Sequence, residues 1–214
     1  MELIADHIYK KIRGRVILSD VNLCLESGKV YGFAGRNGSG KTMLFRALSG
    51  LMKIDSGSVT LDGKILHKDF SVLPGLGILL ENAGLYPDLT GAGNLLYLAS
   101  LTKRIGRKEV TEAISRVGLD PEDKRVYKKY SLGMKQRLAI AQAIMEKPDV
   151  IMLDEPTNSL DEAGVGEIRK VILEEKERGA LVLVASHNRE DIRILADELY
   201  RVEEGRVEKQ GEDI

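Results

Sequence analysis

The stretch from Gly35 to Thr42, "GRNGSGKT", spaces its glycines, lysine and threonine as G-x-x-x-x-G-K-T. Glycines at those positions let the backbone curl round an anion so that several N–H groups converge on it. The lysine and threonine at its end are of the types that reach terminal phosphates and a magnesium ion. The loop follows the apolar run "KVYGF" and precedes an apolar-periodic segment from Lys41 to Leu51. That places it on a strand-to-helix turn, where a helix N-terminus adds partial positive charge. An ordinary glycine-rich turn does not need the whole pattern in that setting. The spacing puts Gly35, Arg36, Asn37, Gly38, Ser39, Gly40 and Met43 round a nucleotide, Lys41 on its β- and γ-phosphates, and Thr42 on Mg²⁺.

A second segment, "DVIMLDEP", delivers Asp154 at the end of an apolar run. Ligands of open α/β sheets gather at strand C-termini, so Asp154 is the expected second anchor for Mg²⁺. Glu155 follows at once and is the candidate general base for an attacking water, a role worth about 10²–10⁴ in rate. An Asp-Glu pair alone would read as a helix cap or a surface acid; beside a phosphate loop it reads as a site. A third segment, "YSLGMKQR" from Tyr130 to Arg137, opens a helix with a serine, a glycine and positive charge. Its first turn holds no acid. A helix start carries unpaired N–H groups and about half a positive charge, so it seeks an anion.

The elements that must hold these segments are legible in outline. Residues 1 to about 65 carry short alternating apolar runs, "LIADHIY", "VNLCLE", "KVYGFAG" and "GSVTLDG", separated by turn pairs such as Ser27-Gly28 and Asp62-Gly63. That pattern predicts antiparallel hairpins. From about 88 to 147 three segments repeat apolar residues at helical spacing. The remainder alternates apolar strands, "DVIMLD" and "ALVLVAS", with helical patterns, which predicts a parallel sheet covered on both faces. The chain of 214 residues is 43% hydrophobic, enough for a single domain and too short for two independent cores. We therefore divide 1–214 into a core of 1–87 and 148–214 and a helical part of about 88–147.

Charge and composition exclude several functions. A net charge of −1 argues against a dedicated nucleic-acid binder. The basic clusters at 103–108 and 124–129 and the acidic end read as solvated surface. The lone Cys24 forms no internal disulfide, is expected on an apolar strand position, and fits a reducing compartment. No signal peptide and no apolar run near the ~18 residues of a membrane helix is present. The chain is expected to be soluble.

Taken in order, "FAGRNGSGKT", "YSLGMKQR", "DVIMLDEPTNSLD" and "VASHN" resemble the nucleotide-binding subunit of an ABC transporter, over about residues 3 to 208. The resemblance implies a P-loop NTPase fold: a mainly parallel core sheet, an N-terminal antiparallel β subdomain and an inserted helical subdomain. It implies that ATP and Mg²⁺ are bound, with Tyr9 stacked on adenine and Gly35 to Thr42 as the Walker A loop. Asp154 and Glu155 become the Walker B aspartate and catalytic glutamate. Ser159, Leu160 and Asp161 match the D-loop, and His187 the switch histidine. Ser131 and Gly133 would meet the γ-phosphate held by a second subunit, so the active form is expected to be a dimer, with a second copy as the partner. Separate membrane subunits are the other implied partners, which places the chain at the cytoplasmic membrane face.

The departures are patterned. The family commonly reads Leu-Ser-Gly-Gly-Gln where this chain has Tyr130, Ser131, Leu132, Gly133 and Met134. Met43 replaces a second Walker A threonine, and Glu81 stands at the usual Q-loop glutamine, where its carboxylate is a further candidate Mg²⁺ ligand. Together with "ENAGLYPDLT", these features resemble ATPase subunits that export bacitracin and lantibiotics. A non-transport relative acting on ribosomes or DNA, and an ATP-binding module without turnover, are the alternatives. The single cassette disfavours the first, and Glu155 the second. The absence of an Asn-Lys-x-Asp motif disfavours a GTPase.

Overall fold

The computed structural model describes residues 1–80 and 84–211. Strands β1 (Glu2–Ile12) and β2 (Arg15–Glu26) form an antiparallel hairpin whose inward phase is Leu3, Ala5, Ile8, Val21, Leu23 and Leu25. Strands β4 (Ser56–Leu61) and β5 (Lys64–Ile65) extend it to a four-stranded sheet ordered β2-β1-β4-β5. Cys24 falls on the outward phase of β2. It is exposed rather than apolar-packed, and its thiol lies 3.2 Å from Glu2 Oε1.

The second sheet has the order β10-β9-β3-β8-β7-β6. Its strands are β3 (Val30–Ala34), β6 (Leu76–Leu79), β7 (Val150–Asp154), β8 (Leu181–Ser186), β9 (Glu198–Glu203) and β10 (Arg206–Lys209). All neighbours pair in parallel except β9 and β10. β7 and β8 are buried at every position because both faces are covered, which is why their sequences run apolar without alternation. Tyr31, Phe33, Met152 and Leu183 pack with α1 (Lys41–Ser49) and the antiparallel sheet. Ile151, Leu153, Val182 and Val184 pack on the other face with the remaining helices.

Those helices are α2 (Gly91–Thr102), α3 (Arg107–Arg116), α4 (Leu132–Ile144), α5 (Glu162–Glu177) and α6 (Arg189–Leu195). α4 carries the buried stripe Leu138, Ile140, Ala141 and Ile144 onto β6, an approach so close that a Cβ on Gly77 would overlap the Ala143 carbonyl. Two parts of this sheet escape a reading of the sequence. β6 offers only four residues, and β9–β10 hide in an acidic end. Yet Tyr200 and Val202 alternate inward, and the turn Glu204-Gly205 has φ of 49° and 78°, as a type I′ hairpin needs. Among the described residues no helix is long and apolar enough to cross a membrane.

Candidate functional site

β3 stops at Ala34, and the chain turns through residues 35–40 before α1 begins at Lys41. The turn is shaped by Gly38 and Gly40, at φ of 79° and 114°. Gly40 caps α1 without a side chain, and no acid stands in that helix's first turn, so nothing competes with an anion for its N–H groups. The Gly35 Cα packs against Ser39, where an added Cβ would lie 2.6 Å from the Ser39 hydroxyl. That hydroxyl is buried and has no hydrogen-bond partner among the described residues. An unmet donor inside a cradle of amides is what an oxygen-rich anion satisfies.

Lys41 is 5% exposed. Its ammonium donates to the Gly35 carbonyl at 2.7 Å and the Arg36 carbonyl at 3.4 Å, and lies 3.5 Å from Glu155 Oε1. The loop thus wraps its own lysine and aims the charge at Glu155. The Thr42 hydroxyl donates to Asp154 Oδ2, and Asp154 is itself 7% exposed at the end of β7. Two hard oxygens in contact suit Mg²⁺, which takes one or two protein ligands and completes its shell with water and substrate phosphates. Among the described residues no three His, Cys, Asp or Glu side chains group where they could hold a metal ion. Glu81 lies outside the described residues.

Glu155 leaves β7 with φ of 52°, its N–H bound to the Ala185 carbonyl at 2.8 Å. Its carboxylate accepts from the His187 N–H at 3.0 Å and the Ser186 hydroxyl at 3.3 Å, and lies 2.8 Å from His187 Nδ1. Strand ends β7 and β8, neighbours in the sheet, therefore bring together two residues 32 positions apart in sequence. Asn37 to Met43, Asp154 and Glu155 line one cleft of about 1140 Å³. Its outer wall is Arg15, Val16, Ile17, Glu204 and Gly205.

Tyr9, expected to stack on adenine, is not among the residues that line that cleft. It sits half-buried on β1 opposite Ser56, past an irregularity in the strand at His7. β2 is the strand that borders the loop 35–40, through the approach of Ile17 and Gly205 to Gly40.

Ser131 caps α4, its hydroxyl accepting from the Met134 N–H at 3.2 Å, while the Tyr130 phenol is buried in the helical core and pushed up by that burial. Gly133 backs onto the loop 159–161, where a Cβ would lie 2.9 Å from the Ser159 carbonyl. Neither residue lines the cleft of its own chain; Leu132 and Gln136 do. Asp161 caps α5 by accepting from the Gly164 N–H at 3.1 Å and lies 3.6 Å from Arg137.

Sequence reasoning missed two supports. Asp191, fully buried, accepts from Arg169 at 2.7 and 2.9 Å and from the Thr157 hydroxyl, anchoring the loop after Glu155 and the helix after His187 to one point. Gln136 donates to the carbonyls of Glu155 and Pro156. Neither carries a local signal, because each partner lies about 20 or more positions away.

Residues 18–158 match the family model described as ABC transporter. The chain is 45% identical over 202 residues to the ABC transporter ATP-binding protein YybJ of Bacillus subtilis (strain 168), covering 94% of this chain and 93% of that one. It is 39% identical to the bacitracin transport ATP-binding protein BcrA of Bacillus licheniformis, covering 87% of this chain but only 62% of that longer protein. Its fold superposes on the dimeric structure of MJ0796, a bacterial ABC transporter cassette, with a TM-score of 0.86 at 25% identity, covering 98% and 99% of the two chains.

Proposed function

The chain belongs to the ABC transporter family as an ATP-binding subunit, and from that premise we propose that it dimerises on ATP, hydrolyses it, and powers export through separate membrane subunits. The observation that carries this reading is the convergence of Lys41, Thr42, Asp154 and Glu155 in one cleft, with His187 held against Glu155. The proposed cargo is a peptide antibiotic or related amphipathic compound, a reading supported by the likeness to BcrA.

The amides of residues 35–40, the open start of α1 and the Lys41 ammonium bind and orient the β- and γ-phosphates. Thr42 and Asp154 would hold Mg²⁺, which when bound would neutralise charge on those phosphates. Glu155 takes the proton of the attacking water, and His187 orients that carboxylate from 2.8 Å and offers its ring to the γ-phosphate. Ser131 and Gly133 of one copy complete the site of the other. Because the γ-phosphate then touches both copies, ATP binds the closed dimer more tightly than the open one, and its loss on hydrolysis parts them.

The test is the mass in solution of the Glu155→Gln chain with and without ATP-Mg²⁺. A mass doubling from 23.6 kDa, abolished by adding Ser131→Arg, is expected. A chain that stays monomeric with ATP bound overturns the homodimer.

A further inference from the structure

We propose that Gln136 is a positioning residue for Glu155, tying the backbone of the proposed base to the start of α4. The role rests on the hydrolytic reading given above.

Glu155 sits at φ of 52°, a left-handed conformation sparsely populated by residues with a Cβ. It also precedes Pro156, and a residue before proline is driven to extended backbone. The conformation is thus disfavoured on two counts and persists only where its surroundings over-determine it. On the amide side the surroundings are β8: the Glu155 N–H meets the Ala185 carbonyl at 2.8 Å. On the carbonyl side they are Gln136, whose Nε2 donates to the Glu155 carbonyl at 2.9 Å and to the Pro156 carbonyl at 3.2 Å. The Asn158 N–H reaches the Glu155 carbonyl at 3.2 Å, but the Pro156 carbonyl meets Gln136 alone among the described residues.

Release of that grip frees the peptide planes that set where the carboxylate points. Its contacts to His187 and Ser186 depend on that direction. Gln136 lies about one and a half turns beyond Ser131 on a helix of 3.6 residues per turn, so the base and the start of α4 share one anchor. Gly133, packed on the Ser159 carbonyl, makes the same helix start abut the same loop.

Two substitutions test the role in the full chain. Gln136→Met keeps the length and apolar stem and removes the donor; Gln136→Lys restores one. The Met variant is expected to lose about ten-fold in kcat with little change in ATP affinity or thermal midpoint, because a misdirected base misses the transition state only. The Lys variant is expected to recover most of the loss. A rise in the ATP dissociation constant with kcat intact would make Gln136 a nucleotide contact and overturn the role. So would an equal loss in both variants accompanied by a lowered midpoint, which marks a purely structural tie. An active wild type beside an undiminished Met variant sinks this inference alone. A wild type that binds ATP without any turnover sinks the hydrolytic reading and this role with it.

Discussion

At the scale of single residues the cleft is organised round Lys41, which is buried yet surrounded by carbonyl and carboxylate oxygens of three residues. A phosphate would replace or join those partners with charge-assisted bonds worth about 1.5–3 kcal/mol each. Lys41→Ala should therefore weaken ATP binding by at least about ten- to a hundred-fold, read by calorimetric titration. Glu155→Gln should act differently. The amide keeps the shape and one acceptor oxygen but takes no proton, so turnover falls by about 10²–10⁴ while ATP affinity holds. Equal affinity in the lysine variant, or wild-type turnover in the glutamine variant, would reassign the cleft. Residues adjacent in sequence were the legible ones: the phosphate loop and the Asp-Glu pair each declare themselves within a few consecutive positions. The reach of Tyr9 to adenine depends on how β1 runs past the loop, a tertiary matter that no local pattern encodes, and β2 is the strand that borders the loop. Gln136 carries no local signal of its role, since its partners stand 19 and 20 residues away.

At the scale of elements the start of α4 serves two ends that a substitution separates. Ser131 caps the helix through the Met134 N–H, a contact worth about 1 kcal/mol. In the proposed dimer the same helix start faces a phosphate, which favours an uncharged cap. Aspartate caps a helix as well as serine does but carries a negative charge. Ser131→Asp should thus keep the thermal midpoint within about a degree or two and abolish ATP-dependent dimerisation of the Glu155→Gln chain. Ser131→Ala should lose about 1 kcal/mol of stability with the cap and weaken the ATP-dependent dimer without abolishing it, because the phosphate loses a hydroxyl partner but meets no negative charge. A dimer that forms normally in the Ser131→Asp chain at ordinary salt would place the helix start away from the nucleotide. The helices and the buried parallel strands were readable because their patterns, a helical period or an unbroken apolar run, extend over many residues. β9 and β10 were not, because Tyr200 and Val202 give too short an alternation among charged neighbours. Pairing with β3 decides their fate, and pairing is a tertiary fact.

At the scale of the whole molecule the two hydrophobic clusters share one sheet. β8 sends Leu181, Leu183 and Ala185 into one and Val182 and Val184 into the other. β7 divides in the same way, with Val150 and Met152 on one face and Ile151 and Leu153 on the other. Melting the helical side would expose an apolar face of strands whose opposite face holds the antiparallel sheet, at about 25 cal/mol for each Å² uncovered. The two sides should therefore unfold together, with a calorimetric enthalpy equal to the van't Hoff value. Two resolved transitions would show that the helical part is stable alone. The same scan with ATP-Mg²⁺ measures the site from the outside. A ligand that binds only the folded chain, at about a hundred times its dissociation constant, adds about 2.7 kcal/mol. For a chain of this length that raises the midpoint by roughly 5–10 °C. The shift should fall to about half or less in Lys41→Ala and persist in Glu155→Gln, because the first removes the phosphate's main partner and the second leaves the binding surface intact. A shift undiminished in Lys41→Ala would mean that the nucleotide is held chiefly by its base and sugar, against the outer wall of Arg15, Val16 and Ile17.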